Sequence, residues 1–239
     1  MYDMWRGNTL AVVLPTYNEP DSIADCIHRF AALGVIDDIV VVNNNAHPNT
    51  SANVATTPAR EVYESQQGYG AAIRRGLYET RHFDLICICE PDGTFDPEDL
   101  WKLLPFLSDS DIVFGTRTVQ TFIYAGANMG APLRWGNWAV AKLTELLFNT
   151  VSLSDVGCTF RVLRRSAIDQ IAPNFTGNGS SFGLEMMLHA VRARLPMVQV
   201  PVRYLPRVGT SSVTGEMRVT VRLGVEMTWL VLRARMGRF

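Results

Sequence analysis

The segment Glu90-Pro91-Asp92-Gly93 follows an apolar run, LICIC, and places two carboxylates two positions apart at its end. Carboxylates at the exit of a buried strand are costly unless a cation or water compensates them. Hard divalent ions such as Mg2+ and Mn2+ take oxygen ligands and usually share them with substrate phosphates. Asp92 is therefore the expected metal ligand with Glu90 beside it, and Gly93 would let a diphosphate approach the backbone closely. The competing reading is a polar turn ahead of a capped helix. Asp96 fits that second reading, as an N-cap followed by Pro97 and the acidic Glu98 and Asp99. Another apolar run, LAVVLP, ends in Pro15-Thr16-Tyr17-Asn18-Glu19. An aromatic beside a carboxylate can stack on a base and hold a ribose hydroxyl, or simply form a turn and an N-cap. A further run, DIVVVN, ends in Asn43-Asn44-Asn45, whose amides either read a base edge or build an Asn-rich turn.

These groups act together only if one scaffold brings them to the same edge. Short runs at 10–15, 38–43, 60–65, 84–90 and 111–117 alternate with helical spacing at about 21–33, 66–81 and beyond Asp96. Such βα alternation predicts an α/β fold, a mainly parallel central sheet flanked by helices with right-handed crossovers. Ligands of such sheets bind beyond the carboxyl ends of the strands, where the residues above sit. The second half predicts a helix over about 133–149, then DVGCTFRVLRR, a Gly/Ser-rich loop, a helix carrying Glu185 and a strand around 197–205. Asp155 and Arg161 in DVGCTFR are expected to form a structural ion pair. Gly68-Tyr69-Gly70 opens a helix but has Ile73 at the third glycine position. Close helix packing explains it better than a dinucleotide fingerprint. The last helical stretch, 217–236, carries Arg218, Arg222, Glu226 and Arg233 on one stripe and Val221, Val225, Leu232 and Met236 largely elsewhere. With Trp229 it reads as a basic amphipathic helix, either packed on the domain or lying on an anionic membrane surface. The domain is expected to span 1–213 and this helix 214–239.

With 239 residues, 47% hydrophobic and 19% charged, the chain can bury one large core, which excludes intrinsic disorder. The net charge of −1 hides a split: residues 1–116 hold 17 acids and 7 bases, residues 117–239 hold 6 and 15. An anionic partner is expected to meet the second half. The four cysteines form no CxxC pair and read as buried thiols of a reducing compartment. No signal peptide and no run of about 18 apolar residues is present, so a cytoplasmic protein is expected, or one peripheral on the cytoplasmic membrane face. Nucleic acid is not an expected partner; a homo-oligomer stays open.

The ordered set PTYNE, VVVNNN, QGYGAAIRRG, EPDG, GTR, DVGCTFR and RVGTSS resembles the family 2 glycosyltransferases. Among these it is similar to the dolichyl- or polyprenyl-phosphate sugar synthases, over roughly residues 10–213. The resemblance implies a GT-A fold, a nucleotide-diphospho-sugar donor, Mg2+ or Mn2+, and inversion at the anomeric centre. It further implies that Pro15, Tyr17 and Glu19 contact the nucleotide, that Val42 and Asn44 lie at base and ribose, and that Glu90, Pro91 and Asp92 form the DxD-type motif. Arg117 matches a phosphate-contacting Arg, Arg134 a second Arg near a lipid-phosphate acceptor, and Arg207 the Arg of a closing loop. The sequence departs from the pattern at Asn43 and Asn44, where two Asp are usual, at Glu90 for Asp, and at Ser212 for Lys.

The resemblance implies a metal-dependent inverting glycosyltransferase whose favoured acceptor is a polyprenyl phosphate. A phosphate acceptor is already an anion and needs no general base, so Arg117 and Arg134 would hold and aim it. A soluble transferase acting on a hydroxyl of a small molecule would need a base, for which Glu185 is the candidate, unless it pairs with an Arg or His189. A non-catalytic nucleotide-sugar-binding scaffold is the third reading.

Overall fold

The run LAVVLPT forms the central strand β1 (Leu10–Thr16), buried at every residue, as a strand covered on both faces must be. In the computed structural model, which describes residues 5–209 and 217–237, β1 lies in a seven-stranded sheet. Its neighbours on one side are β2 (Asp38–Asn43) and then β3 (Arg60–Tyr63), all parallel. On the other side lies β4 (Leu85–Ile88), also parallel. Beyond it come β5 (Ile112–Thr116), β6 (Arg161–Arg164) and β7 (Met197–Pro201), in the order β4-β6-β5-β7. The series of parallel strands does not simply close on β5. β6, inside the DVGCTFRVLRR segment, inserts between β4 and β5 antiparallel to both, a position its sequence does not signal.

Helices cover both faces. Val12, Leu14, Val41, Cys87 and Cys89 face one layer, built with α1 (Ile23–Ala31), α2 (Asn49–Val54) and α4 (Leu100–Leu103). Val13, Val40, Val42, Ile86 and Ile88 face the other, built with α3 (Tyr69–Glu79), α5 (Ala131–Phe148), α6 (Arg165–Ile171), α7 (Phe182–Arg192) and α8 (Met217–Arg235). Sequence periodicity finds the long helices within a few residues but misses α2 and α6, which are too short to show it. Cys87 and Cys89 share a face as expected, and all four cysteines are free and buried. Burial holds their thiols well above the ordinary value.

Glycines fix the entry to α3. Gly68 has φ +140°, and a Cβ there would lie 2.1 Å from the Asn178 carbonyl oxygen. The Gly70 N–H donates to that oxygen at 2.8 Å, so close packing accounts for the glycines. α8 packs on its own domain through Met227, Val231 and Ala234, while Val221, Val225, Trp229 and Met236 stay exposed. No helix among the described residues is long and apolar enough to cross a membrane. Ser212 lies outside the described residues.

Candidate active site

The strand order reverses at β1, which has β2 on one side and β4 on the other, and a crevice forms beyond such a switch point. A cavity of about 630 Å³ opens there. Its polar end carries Pro15, Tyr17, Glu19, Asn44, Glu90, Asp92, Arg117 and Arg207. Tyr17 is 49% exposed, an open ring for stacking. Glu19 is held by its own turn: its Oε2 accepts from the Tyr17 N–H at 2.8 Å and the Asn18 N–H at 2.9 Å. Its Oε1 accepts from Arg207 at 2.9 Å.

Arg207 spans two strand exits, because its other terminal nitrogen lies 2.7 Å from Asp92 Oδ2. Asp92 Oδ1 accepts the Thr94 N–H at 2.9 Å, and the carboxylate is nearly fully buried. Burial, with Asp92 next in weight, pushes the Glu90 carboxyl up to about 8. Three carboxylates thus face one guanidinium. Among the described residues no three or more His, Cys, Asp or Glu converge as a ready cage. The all-oxygen donor set instead fits a Mg2+ or Mn2+ ion that takes further ligands from substrate phosphates and water. The buried Nε of Arg207 makes no hydrogen bond, so donor capacity remains for an anionic oxygen.

Arg117, at the end of β5, is fixed by Asp155. Its Nε and one terminal nitrogen donate to the carboxylate at 2.8 and 3.0 Å, and its backbone N–H donates at 2.9 Å. Burial alone would raise the Asp155 pKa, but Arg117 and the backbone N–H bonds together hold it below the usual carboxylate value. The expected Asp155–Arg161 pair is therefore corrected. Arg161, turned inward by β6, is buried and donates to the carbonyls of Gly183, at 2.9 Å, and Cys158. Tyr204 packs beside Arg117, its ring centroid 5.3 Å from the guanidinium carbon.

Other expected residues lie elsewhere. Asn44 borders the cavity, but its amide nitrogen donates to the Glu64 and Gln66 carbonyls at 2.9 and 2.7 Å. Its oxygen accepts from the Gly68 N–H at 2.7 Å, so Asn44 clamps the loop into α3. Asn43 and Asn45 likewise hold the turn, through Glu61 and Gln67. Val42 is packed in the core, and Pro91 is buried in the turn off the cavity wall. Arg134 sits on α5 and reaches Gln120 at 3.4 Å, also off the wall.

Glu185 is buried, and its Oε1 accepts from the N–H groups of Thr176 and Gly177 at 2.6 and 3.0 Å. His189 lies 3.9 Å away, the i+4 pairing the sequence offers as the alternative. Replacing Glu185 by Gln is expected to lower stability by about 1–3 kcal/mol, the range for a disturbed buried hydrogen bond. The pH profile of turnover should not move. A turnover loss of roughly 100-fold with a lost acid limb would make Glu185 the base.

The far end of the cavity is apolar: Pro132, Leu133 and Val140 of α5 face Val221, Leu223 and Met227 of α8. Sequence reasoning misses this wall, along with Thr94 and Tyr204. Only the packing of two distant helices creates the wall, and no local spacing announces it.

The family model of glycosyl transferase family 2 matches residues 11–172. The undecaprenyl-phosphate mannosyltransferase of Micrococcus luteus is 29% identical, over 94% of this chain and 98% of its own length. The polyprenol monophosphomannose synthase of Mycolicibacterium smegmatis is 23% identical, over 85% and 80%. Among solved structures, glucosyl-3-phosphoglycerate synthase from Mycobacterium tuberculosis, in complex with Mn2+, UDP and glucosyl-3-phosphoglycerate, superposes with a TM-score of 0.74. That match is 18% identical and covers 97% of this chain and 81% of the other. The architecture is thus that of the GT-A glycosyltransferases.

Proposed function

The chain belongs to glycosyl transferase family 2, and on that premise we propose that it transfers a sugar, with inversion, from a nucleotide-diphospho-sugar to a polyprenyl phosphate. The observation that carries this reading is the two-ended cavity, with carboxylates and arginines at the strand exits and an apolar wall between α5 and α8. A donor diphosphate suits the first end and the start of an isoprenoid chain the second. The names of the relatives from Micrococcus luteus and Mycolicibacterium smegmatis support the same acceptor class.

Asp92, with Glu90, would hold Mg2+ or Mn2+, which neutralises charge building on a leaving diphosphate when bound. Tyr17 stacks on the base. Arg207 donates to diphosphate oxygens from a position already over the carboxylates. Arg117, oriented by Asp155, aims the acceptor phosphate, whose anionic oxygen attacks the anomeric carbon as the bond to the diphosphate breaks. No proton has to leave the nucleophile. Among the described residues the carboxylates on the cavity wall are Glu19, Glu90 and Asp92, all at the donor end, which favours a phosphate over a hydroxyl acceptor.

Thermal unfolding with UDP, GDP, CDP and dTDP, each with and without Mn2+, tests the donor half. Ligand at 100 times its dissociation constant adds about 2.7 kcal/mol. One nucleotide is expected to raise the midpoint, and only with metal. No rise with any of the four would contradict the donor site, in an enzyme and in a nucleotide-sugar-binding scaffold alike.

A further inference from the structure

The buried residues of α5 are Asn137, Val140, Ala141 and Thr144, which share the inward face of the helix. A polar side chain on such a face is costly unless its hydrogen-bonding groups are met. Thr144 is satisfied within the helix, because its hydroxyl donates to the Val140 carbonyl at 2.9 Å. Asn137 is satisfied by half. Its Nδ2 donates to the Leu133 carbonyl at 3.0 Å, and that bond fixes which end of the amide is nitrogen. Among the described residues nothing donates to its Oδ1, although Asn137 is only 8% exposed. Asn137 and Gly157 both lie on the cavity wall, next to Arg117. A Cβ at Gly157 would stand 2.8 Å from Asn137 Oδ1 and 2.8 Å from a terminal nitrogen of Arg117. The missing side chain thus leaves an opening bordered by one acceptor and one donor.

The chemistry of those two atoms selects the occupant. An amide oxygen only accepts, so its partner must carry a hydrogen. An ionised phosphate oxygen carries none, and an isoprenoid methylene would leave the buried oxygen unpaired. A hydroxyl both donates and accepts, which matches Asn137 Oδ1 on one side and Arg117 on the other. In the transfer reaction the sugar has to lie between the diphosphate near Arg207 and the acceptor near Arg117, and this opening is beside Arg117. We propose that Asn137 is a specificity-determining residue for the donor, its Oδ1 accepting a hydrogen bond from a ring hydroxyl of the transferred sugar. A site built round a hydroxyl rejects sugars that lack it, because its own buried group is then left unpaired. The assignment rests on the donor half of the proposed function and is independent of the acceptor.

The test is calorimetric titration of the full chain in Mn2+ without acceptor, comparing UDP and GDP with UDP-glucose, UDP-galactose and GDP-mannose. Alanine is the stronger helix former, and the Leu133 carbonyl keeps its intrahelical partner, so Asn137→Ala should fold with a nearly unchanged thermal midpoint. Both chains should bind the nucleoside diphosphates equally. The nucleotide-sugar that the unaltered chain binds best should bind Asn137→Ala roughly tenfold more weakly, the scale of one neutral hydrogen bond. Monodeoxy analogues of that donor, each lacking one ring hydroxyl, give a second readout. With the unaltered chain one analogue should lose the same tenfold, and with Asn137→Ala that analogue should lose nothing further. An equal loss for diphosphates and nucleotide-sugars, no loss for any, or deoxy losses that the variant leaves unchanged would overturn the proposal. Diphosphates that bind while the contribution of the sugar stays the same strike this inference alone. Diphosphates that bind neither chain strike the donor reading, and this inference with it.

Discussion

Replacing Asp92 by Asn is expected to lower kcat/KM for sugar transfer roughly 1,000-fold or more, a barrier increase of about 4 kcal/mol. The substitution is close to isosteric. An amide oxygen can still accept the Thr94 N–H that Asp92 Oδ1 accepts at 2.9 Å, so the turn into the following helix survives. What disappears is the charge. Arg207 loses one of its two carboxylate partners but keeps Glu19 at 2.9 Å, so the thermal midpoint should move only a few degrees. The metal-dependent stabilisation by nucleotide should vanish with the activity. Steady-state kinetics and thermal unfolding on the same preparation check both parts. Turnover within tenfold of the unaltered protein would remove Asp92 from the mechanism.

A different kind of loss is expected for Asp155→Ala. Asp155 is fully buried and gives both oxygens to Arg117. Removing one member of a buried pair leaves an uncompensated charge and typically costs about 3–5 kcal/mol. For a chain of this size that lowers the midpoint by roughly 10 °C. Turnover should fall as well, since Arg117 loses the partner that orients it. The pH dependence has a defined sign. The folded-state pKa of Asp155 lies below its ordinary value, so its contribution is complete above about pH 4 and lost as pH falls further. Differential scanning calorimetry from pH 3 to 7 should show the variant and the unaltered protein converging at the acid end. A constant difference across the range would contradict the assigned role.

The parts of the site legible in the sequence are those that sit at the ends of apolar strands. Tyr17, Glu19, Glu90 and Asp92 meet because β1 and β4 are adjacent and parallel, a pairing that βα alternation implies. Arg207 could be placed there only by resemblance, since 188 positions separate it from Glu19. Asp155 was visible as an acid in DVGCTFR, yet its partner was misread. β6 runs antiparallel and turns Arg161 toward α7, while Arg117 arrives from the neighbouring β5. Asn44 shows a structural duty that its position in the sequence does not announce. An amide at a strand exit invites a recognition role, but a buried amide must first be satisfied, and the backbone of residues 64–68 does so. The apolar wall was illegible because neither α5 nor α8 alone encodes which of its two apolar faces meets the other.

The most direct test of sugar transfer to a lipid phosphate is a single extraction. The purified protein is incubated with Mn2+, undecaprenyl phosphate and each of a panel of radiolabelled UDP- and GDP-hexoses, then partitioned between organic solvent and water. Label should enter the organic phase with one donor, require both metal and lipid phosphate, and be released by mild acid. Label confined to the aqueous phase with every donor, or transferred instead to an added hydroxyl acceptor, would contradict the account.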